Sequence, residues 1–106
     1  MIEFEDFKKI EMAIGEVKEI EQIIGSDKLY KMKVDFETEL RTIVAGMVKF
    51  YKPEEIKGKK LVFLLNLKPR TLFGVESQGM MVNVLHAGKP IFLMPEQDVP
   101  AGTRVV

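Results

Sequence analysis

The chain has 106 residues, no cysteine, and 16 basic side chains matched by 16 acidic ones. That length supports one hydrophobic core and a single domain over residues 1–106, and the lack of cysteine excludes a disulfide framework and thiolate metal sites. No apolar run approaches the about 18 residues of a membrane-spanning helix, so no membrane partner is expected. Glu3, Glu5 and Asp6 give the first residues the wrong charge for a secretory leader, and a cytoplasmic location is expected.

Net neutrality hides a segregation of charge. Residues 1–27 carry three lysines and eight acids, a net of −5, whereas residues 28–70 carry eleven cations and five acids, a net of +6. A locally positive face on a neutral molecule can steer a polyanion, although a solvated lysine surface explains the same counts.

In chain order, residues 5–9 predict a short helical turn with Phe4, Phe7 and Ile10 toward a core. Residues 12–24 predict a long strand with Gly15 at a bulge or close approach. After a loop at residues 25–28, Tyr30, Met32, Val34 and Phe36 alternate with Lys31, Lys33 and Asp35, a half-buried strand. Residues 37–39 turn the chain and residues 40–45 return it. Pro53-Glu54-Glu55 suits the first turn of a short helix, which Gly58 closes. Residues 60–66 and 80–85 predict buried strands. A turn at residues 88–90 leads to a short strand over residues 91–94 and a Pro- and Gly-bearing tail.

Several short strands with one small helix between the third and fourth predict an all-β protein. Of the candidates, an OB-fold fits best: a five-stranded Greek-key barrel with extra short terminal elements. An SH3-like barrel or a small sandwich shares the pattern. Catalysis has little support: one histidine, no cysteine, no nucleophile-elbow serine, no phosphate loop before a helix and no metal-ligand spacing. No cofactor or metal is expected.

The most telling stretch is Asn66-Leu67-Lys68-Pro69-Arg70 followed by Ser77-Gln78-Gly79-Met80. It sets two donor-rich turns at the ends of apolar runs, which favours anion binding, with a phosphate backbone as the natural partner. These motifs complete an ordered series: Asp6-Phe7, Gly15, residues 26–30 (SDKLY), Val34-Asp35, residues 41–46 (RTIVAG), residues 51–55 (YKPEE) and Gly58-Lys59. The series resembles the tRNA-binding domain at the C-terminus of many methionyl-tRNA synthetases. It also occurs as a free-standing structure-specific tRNA-binding protein and in the endothelial monocyte-activating cytokine family. The resemblance covers nearly the whole chain. It implies an OB-fold, tRNA as partner, a non-catalytic auxiliary role, a homodimer, and association with a methionyl-tRNA synthetase. Two positions depart from the family pattern: Ala13, where many members have Arg, and Ala45, where many have Ser.

Under this resemblance the RNA-contacting candidates are Asn66, Lys68, Arg70, Ser77, Gln78, Gly79 and Met80, joined by Lys31, Lys33 and Arg41. Lys68 and Arg70 flank a stiffening proline and suit phosphates, Arg70 with a bidentate option. Asn66 either donates to a phosphate or ribose or caps its own turn. Ser77, Gln78 and Gly79 offer a hydroxyl, an amide and an approachable N–H; Met80 is either a nucleotide contact or core. Lys31 and Lys33 share one strand face, and Arg41 on the neighbouring strand is expected to extend their row. Phe73 would stack on a base if exposed, but burial is its expected fate. His86 is expected at an exposed strand end. The rival reading is a dimer like the secretion-associated chaperone CsaA, binding unfolded polypeptide; that branch tends to replace the Asn-Leu-Lys and Ser-x-Gly-Met elements kept here.

Overall fold

The computed structural model describes all residues, Met1–Val106. Alternating burial drives its main sheet: Tyr30, Met32 and Val34 point inward from β2 (Tyr30–Asp35), while Lys31 and Lys33 point outward. The antiparallel partners of β2 are β1 (Met12–Gln22) and β3 (Leu40–Ala45). On its other edge β1 pairs with β4 (Lys60–Leu64), which in turn pairs with β7 (Met80–Met81). The order β3-β2-β1-β4-β7 supplies the five barrel strands, and α2 (Pro53–Ile56) lies between β3 and β4. This is the OB-type barrel expected, helix position included.

The long β1 curls to serve two sheet segments. Its first half pairs with β4 while its second half pairs with β2, from Glu16 to Gln22. A bulge between Val17 and Glu19 leaves Lys18 as the extra residue and accentuates the bend. Gly15 is therefore not the bulge; it is the close approach. A Cβ there would lie 2.5 Å from Val34 Cγ1 and 2.6 Å from Phe36 Cε1, so glycine lets β1 settle on the core. The edge of β1 that β2 leaves open is taken by β10 (Arg104–Val105).

Phe63, Met32, Ile43, Leu61 and Val17 fill the barrel, and α2 adds Ile56 at one end. Each such side chain contributes about 1.5–3 kcal/mol by burial. Phe36 meets Phe63 edge-on, 5.7 Å between centroids. Tyr30 reaches the same end, where its hydroxyl donates to the Tyr51 carbonyl at 2.6 Å.

Three sequence expectations are revised. Helix α1 (Phe4–Phe7) does not face the core: Phe4 is 70% exposed, and Phe7 and Ile10 are exposed as well. The barrel interior is already filled, and this four-residue turn runs along its outside. The segment between β4 and β7 is not a loop but a hairpin, β5 (Arg70–Leu72) with β6 (Val75–Ser77). The expected strand 80–85 divides: after β7 the chain leaves the barrel as β8 (Asn83–His86), hairpinned to β9 (Lys89–Phe92). Tyr51 anchors that second hairpin, its hydroxyl donating to Pro90 O at 2.7 Å and its ring stacking on Phe92 at 4.4 Å. His86 is exposed at the end of β8, as expected.

Candidate nucleic-acid interface

The β5–β6 hairpin owes its form to Leu72-Phe73-Gly74-Val75. Phe73 and Gly74 both have positive φ, 49° and 80°, the pattern of a two-residue type I′ turn. The base of the hairpin holds the motif residues: Arg70 is the cross-strand partner of Ser77. Lys68 and Arg70 are exposed, and neither charged group has an acidic partner within ion-pair distance.

The remaining motif residues build the seam between β3 and this hairpin. Ser77 is only 6% exposed; its hydroxyl accepts from Val44 N–H at 3.0 Å and donates to Gly79 O at 3.0 Å. Gln78 clasps Thr42 from both sides, its N–H donating to Thr42 O at 2.8 Å and its Oε1 accepting from Thr42 N–H at 2.9 Å. Gly79 permits a close approach: a Cβ would sit 2.9 Å from Leu64 O on β4 and 3.2 Å from Ile43 Cδ1 on β3. Side-chain groups thus stand in for a β-ladder where the barrel closes. Met80 is partly exposed, while Met81 is core.

Asn66 neither caps its own turn nor stands free. Its Oδ1 accepts from Glu11 N–H at 2.8 Å and its amide donates to Lys9 O, pinning the N-terminal segment against the end of β4. Arg41 does not extend the lysine row. It pairs with Val34, whereas the outward partners of Lys33 and Lys31 are Thr42 and Val44. Its guanidinium crosses the barrel end, donating to Leu65 O at 2.7 Å, Gln78 O at 3.0 Å and the Glu39 carboxylate at 2.7 Å. That hydrogen bond holds the Glu39 carboxyl below its ordinary value of 4.5.

Lys33 donates to Thr42 Oγ1 at 3.1 Å, and Lys31 stands 3.7 Å from the Glu21 carboxylate. Across the strands, Lys31, Val44, Ser77 and Arg70 fall in one transverse line. At the usual strand spacing Lys31 and Arg70 are on the order of 15 Å apart. The outer face of β2–β3 is thereby flanked by the β1–β2 loop and by the hairpin between β4 and β7, the two loop positions with which OB-folds hold oligonucleotides. A larger cleft, about 570 Å³, opens at the other end of the same strands. Glu19, Asp35, Glu37 and Glu39 line it against Lys18 and Lys33, a balance that repels phosphate.

Residues 12–104 match the family described as "Putative tRNA binding domain". The chain belongs to that family. This tRNA-binding domain is 43% identical over 104 residues to the methionine–tRNA ligase of Caldanaerobacter subterraneus subsp. tengcongensis and 44% identical to that of Pyrococcus furiosus. Those alignments take in 98% of the chain but only 16% and 14% of the ligases, so the domain spans about a sixth of the enzymes it resembles. Among solved structures, the MetRS-related protein of Pyrococcus horikoshii superposes with a TM-score of 0.95 at 42% identity, covering 100% of this chain and 98% of that one. The chaperone CsaA of Bacillus anthracis superposes at 0.87 with 29% identity, covering 100% and 99%.

Phe73 also departs from the sequence expectation. Phe73 is 62% exposed at the hairpin tip, not buried beneath a loop. Phe73-Gly74 lacks the Asn or Asp that marks a two-residue hairpin turn, so only its glycine hinted at one.

Proposed function

We propose that this domain binds tRNA on the outer face of β2–β3, between the β1–β2 loop and the β5–β6 hairpin, and performs no chemistry itself. The observation that carries this reading is the hairpin base, where Lys68 and Arg70 stand exposed and unpaired on a scaffold locked by Ser77 and Gln78. Lys68, Arg70, Lys31 and Lys33 contact phosphates. Asn66, Ser77, Gln78, Gly79 and Arg41 hold those contacts in place through hydrogen bonds within the chain, and Met80 borders the face. With zero net charge, recognition rests on shape and backbone rather than on a large electrostatic surplus.

The matched ligases support a role as an auxiliary module that raises a methionyl-tRNA synthetase's hold on tRNA, by tethering or docking, in the cytoplasm. The exposed apolar residues of α1, β8 and the C-terminus, among them Phe4, Leu85 and Val106, are the contact surface of a homodimer. The CsaA likeness and the same apolar surface favour a second reading, capture of unfolded polypeptide.

Titration of labelled tRNA at several salt concentrations tests the first reading, with duplex RNA and unfolded protein as competitors. Binding should weaken as salt rises. Lys68→Ala and Arg70→Ala should each reduce the slope of log K against log salt by about 1 without unfolding the domain. A folded chain that ignores tRNA at every salt concentration while retaining unfolded protein would establish the second reading instead.

A further inference from the structure

We infer that the cleft between the hairpin tip and the β1–β2 loop receives one unpaired nucleobase of the bound RNA, with Phe73 as its stacking platform. This deepens the tRNA reading and rests on it.

The first turn position of a type I′ hairpin favours Asn, Asp or Gly, and a bulky aromatic at positive φ is an outlier. Phe73 occupies that position at φ 49° and stays 62% exposed, so burial of the ring does not offset the strain. Across from it stands Ile24, 97% exposed on the β1–β2 loop. Between them lies a cleft of about 230 Å³, completed by the apolar Ile23 and Val75 and by the polar Glu21, Gln22 and Lys31. The Phe73 ring is close to that loop, 3.8 Å from where a Cβ on Gly25 would be.

Apolar surface beside three polar side chains matches a nucleobase, which has apolar faces and a hydrogen-bonding edge. A purely aliphatic occupant would leave Lys31, Glu21 and Gln22 facing carbon. The 3.7 Å Lys31–Glu21 pair is loose enough to rearrange, Glu21 toward exocyclic amines and Lys31 toward the adjoining phosphate. Arg70, at the base of the same hairpin, is placed for a neighbouring phosphate. Bases within a duplex have both faces covered, so the guest comes from a loop, bulge or end.

Phe73→Asn is the decisive variant, because Asn-Gly is a favoured turn pair and keeps the hairpin. Its affinity for tRNA should fall about 5- to 150-fold, the range for losing one base–aromatic stack. The salt slope should not change, since no phosphate contact is lost. Phe73→Trp introduces the only tryptophan in the chain. It should bind as the unsubstituted chain does, with its fluorescence quenched by tRNA but not by a fully paired duplex. Undiminished affinity in the Asn variant, an unquenched Trp, or equal quenching by duplex overturns the stacking site while the tRNA reading stands. Failure of the unsubstituted chain to bind tRNA overturns both.

Discussion

Single side chains divide into those that build this domain and those left free to act, and the motifs contain both kinds. Ser77 illustrates the first. Its hydroxyl satisfies the buried Val44 N–H, so Ser77→Ala strands that donor and should lower stability by about 1–3 kcal/mol in urea unfolding. The loss should appear whether or not RNA is present, which separates a building role from a contact. Glu39 is the acid-sensitive counterpart. Because Arg41 depresses its pKa, its contribution is in place above pH 4.5 and disappears as pH falls through the lower folded value. Glu39→Gln should remove that part of the acid dependence, as read by stability measured across the acid range. The carboxylate is half exposed, so the change should be small.

At the level of elements, the hairpin β5–β6 and the N-terminal segment are both attached to the barrel through motif residues. Asn66 ties down the Lys9 carbonyl and the Glu11 N–H through its side chain, beside a backbone bond from Leu65 N–H to Glu11 O at 2.8 Å. Asn66→Ala should therefore loosen that segment, with faster hydrogen exchange at the Glu11 amide and a global loss of about 1–2 kcal/mol at most. Exchange within β2, which opens with the whole fold, should quicken only by as much as that global loss requires. This level also shows how far sequence could be read. The alternation in residues 30–36 and the helix start at Pro53 are written in local chemistry, and both elements stand where the pattern put them. The hairpin was missed because its strands have three residues each, too short to show a period. The roles of Asn66 and Arg41 depend on partners 55–57 and 24–37 positions away, distances over which no local pattern speaks. Lys68 and Arg70 were legible as a cationic pair; that they stand unpaired emerged only in three dimensions.

For the molecule as a whole, the arrangement of exposed carbon matters as much as that of charge. Phe4 is 70% and Leu85 76% exposed, and Ile2, Val84 beside Leu85 on β8, and Val106 add to the exposed carbon. In the proposed homodimer a second copy of the chain covers them. Sedimentation should then give twice the chain mass, and Leu85→Glu should shift the population toward monomer while leaving the barrel folded. A monomeric unsubstituted chain would instead leave this surface open for other polypeptides, the behaviour expected of a CsaA-like chaperone.

Since the barrel closes along β3 through the hydroxyl of one residue and the amide of the next, the hairpin is an arm bolted on at two points rather than woven into the wall. Its tip lies outside the cooperative frame, and residues can be exchanged or inserted between Leu72 and Val75 without rebuilding the cylinder. Under the proposed RNA reading, this offers a simple way to vary what the domain grips: alter the end of the arm and keep the bolts.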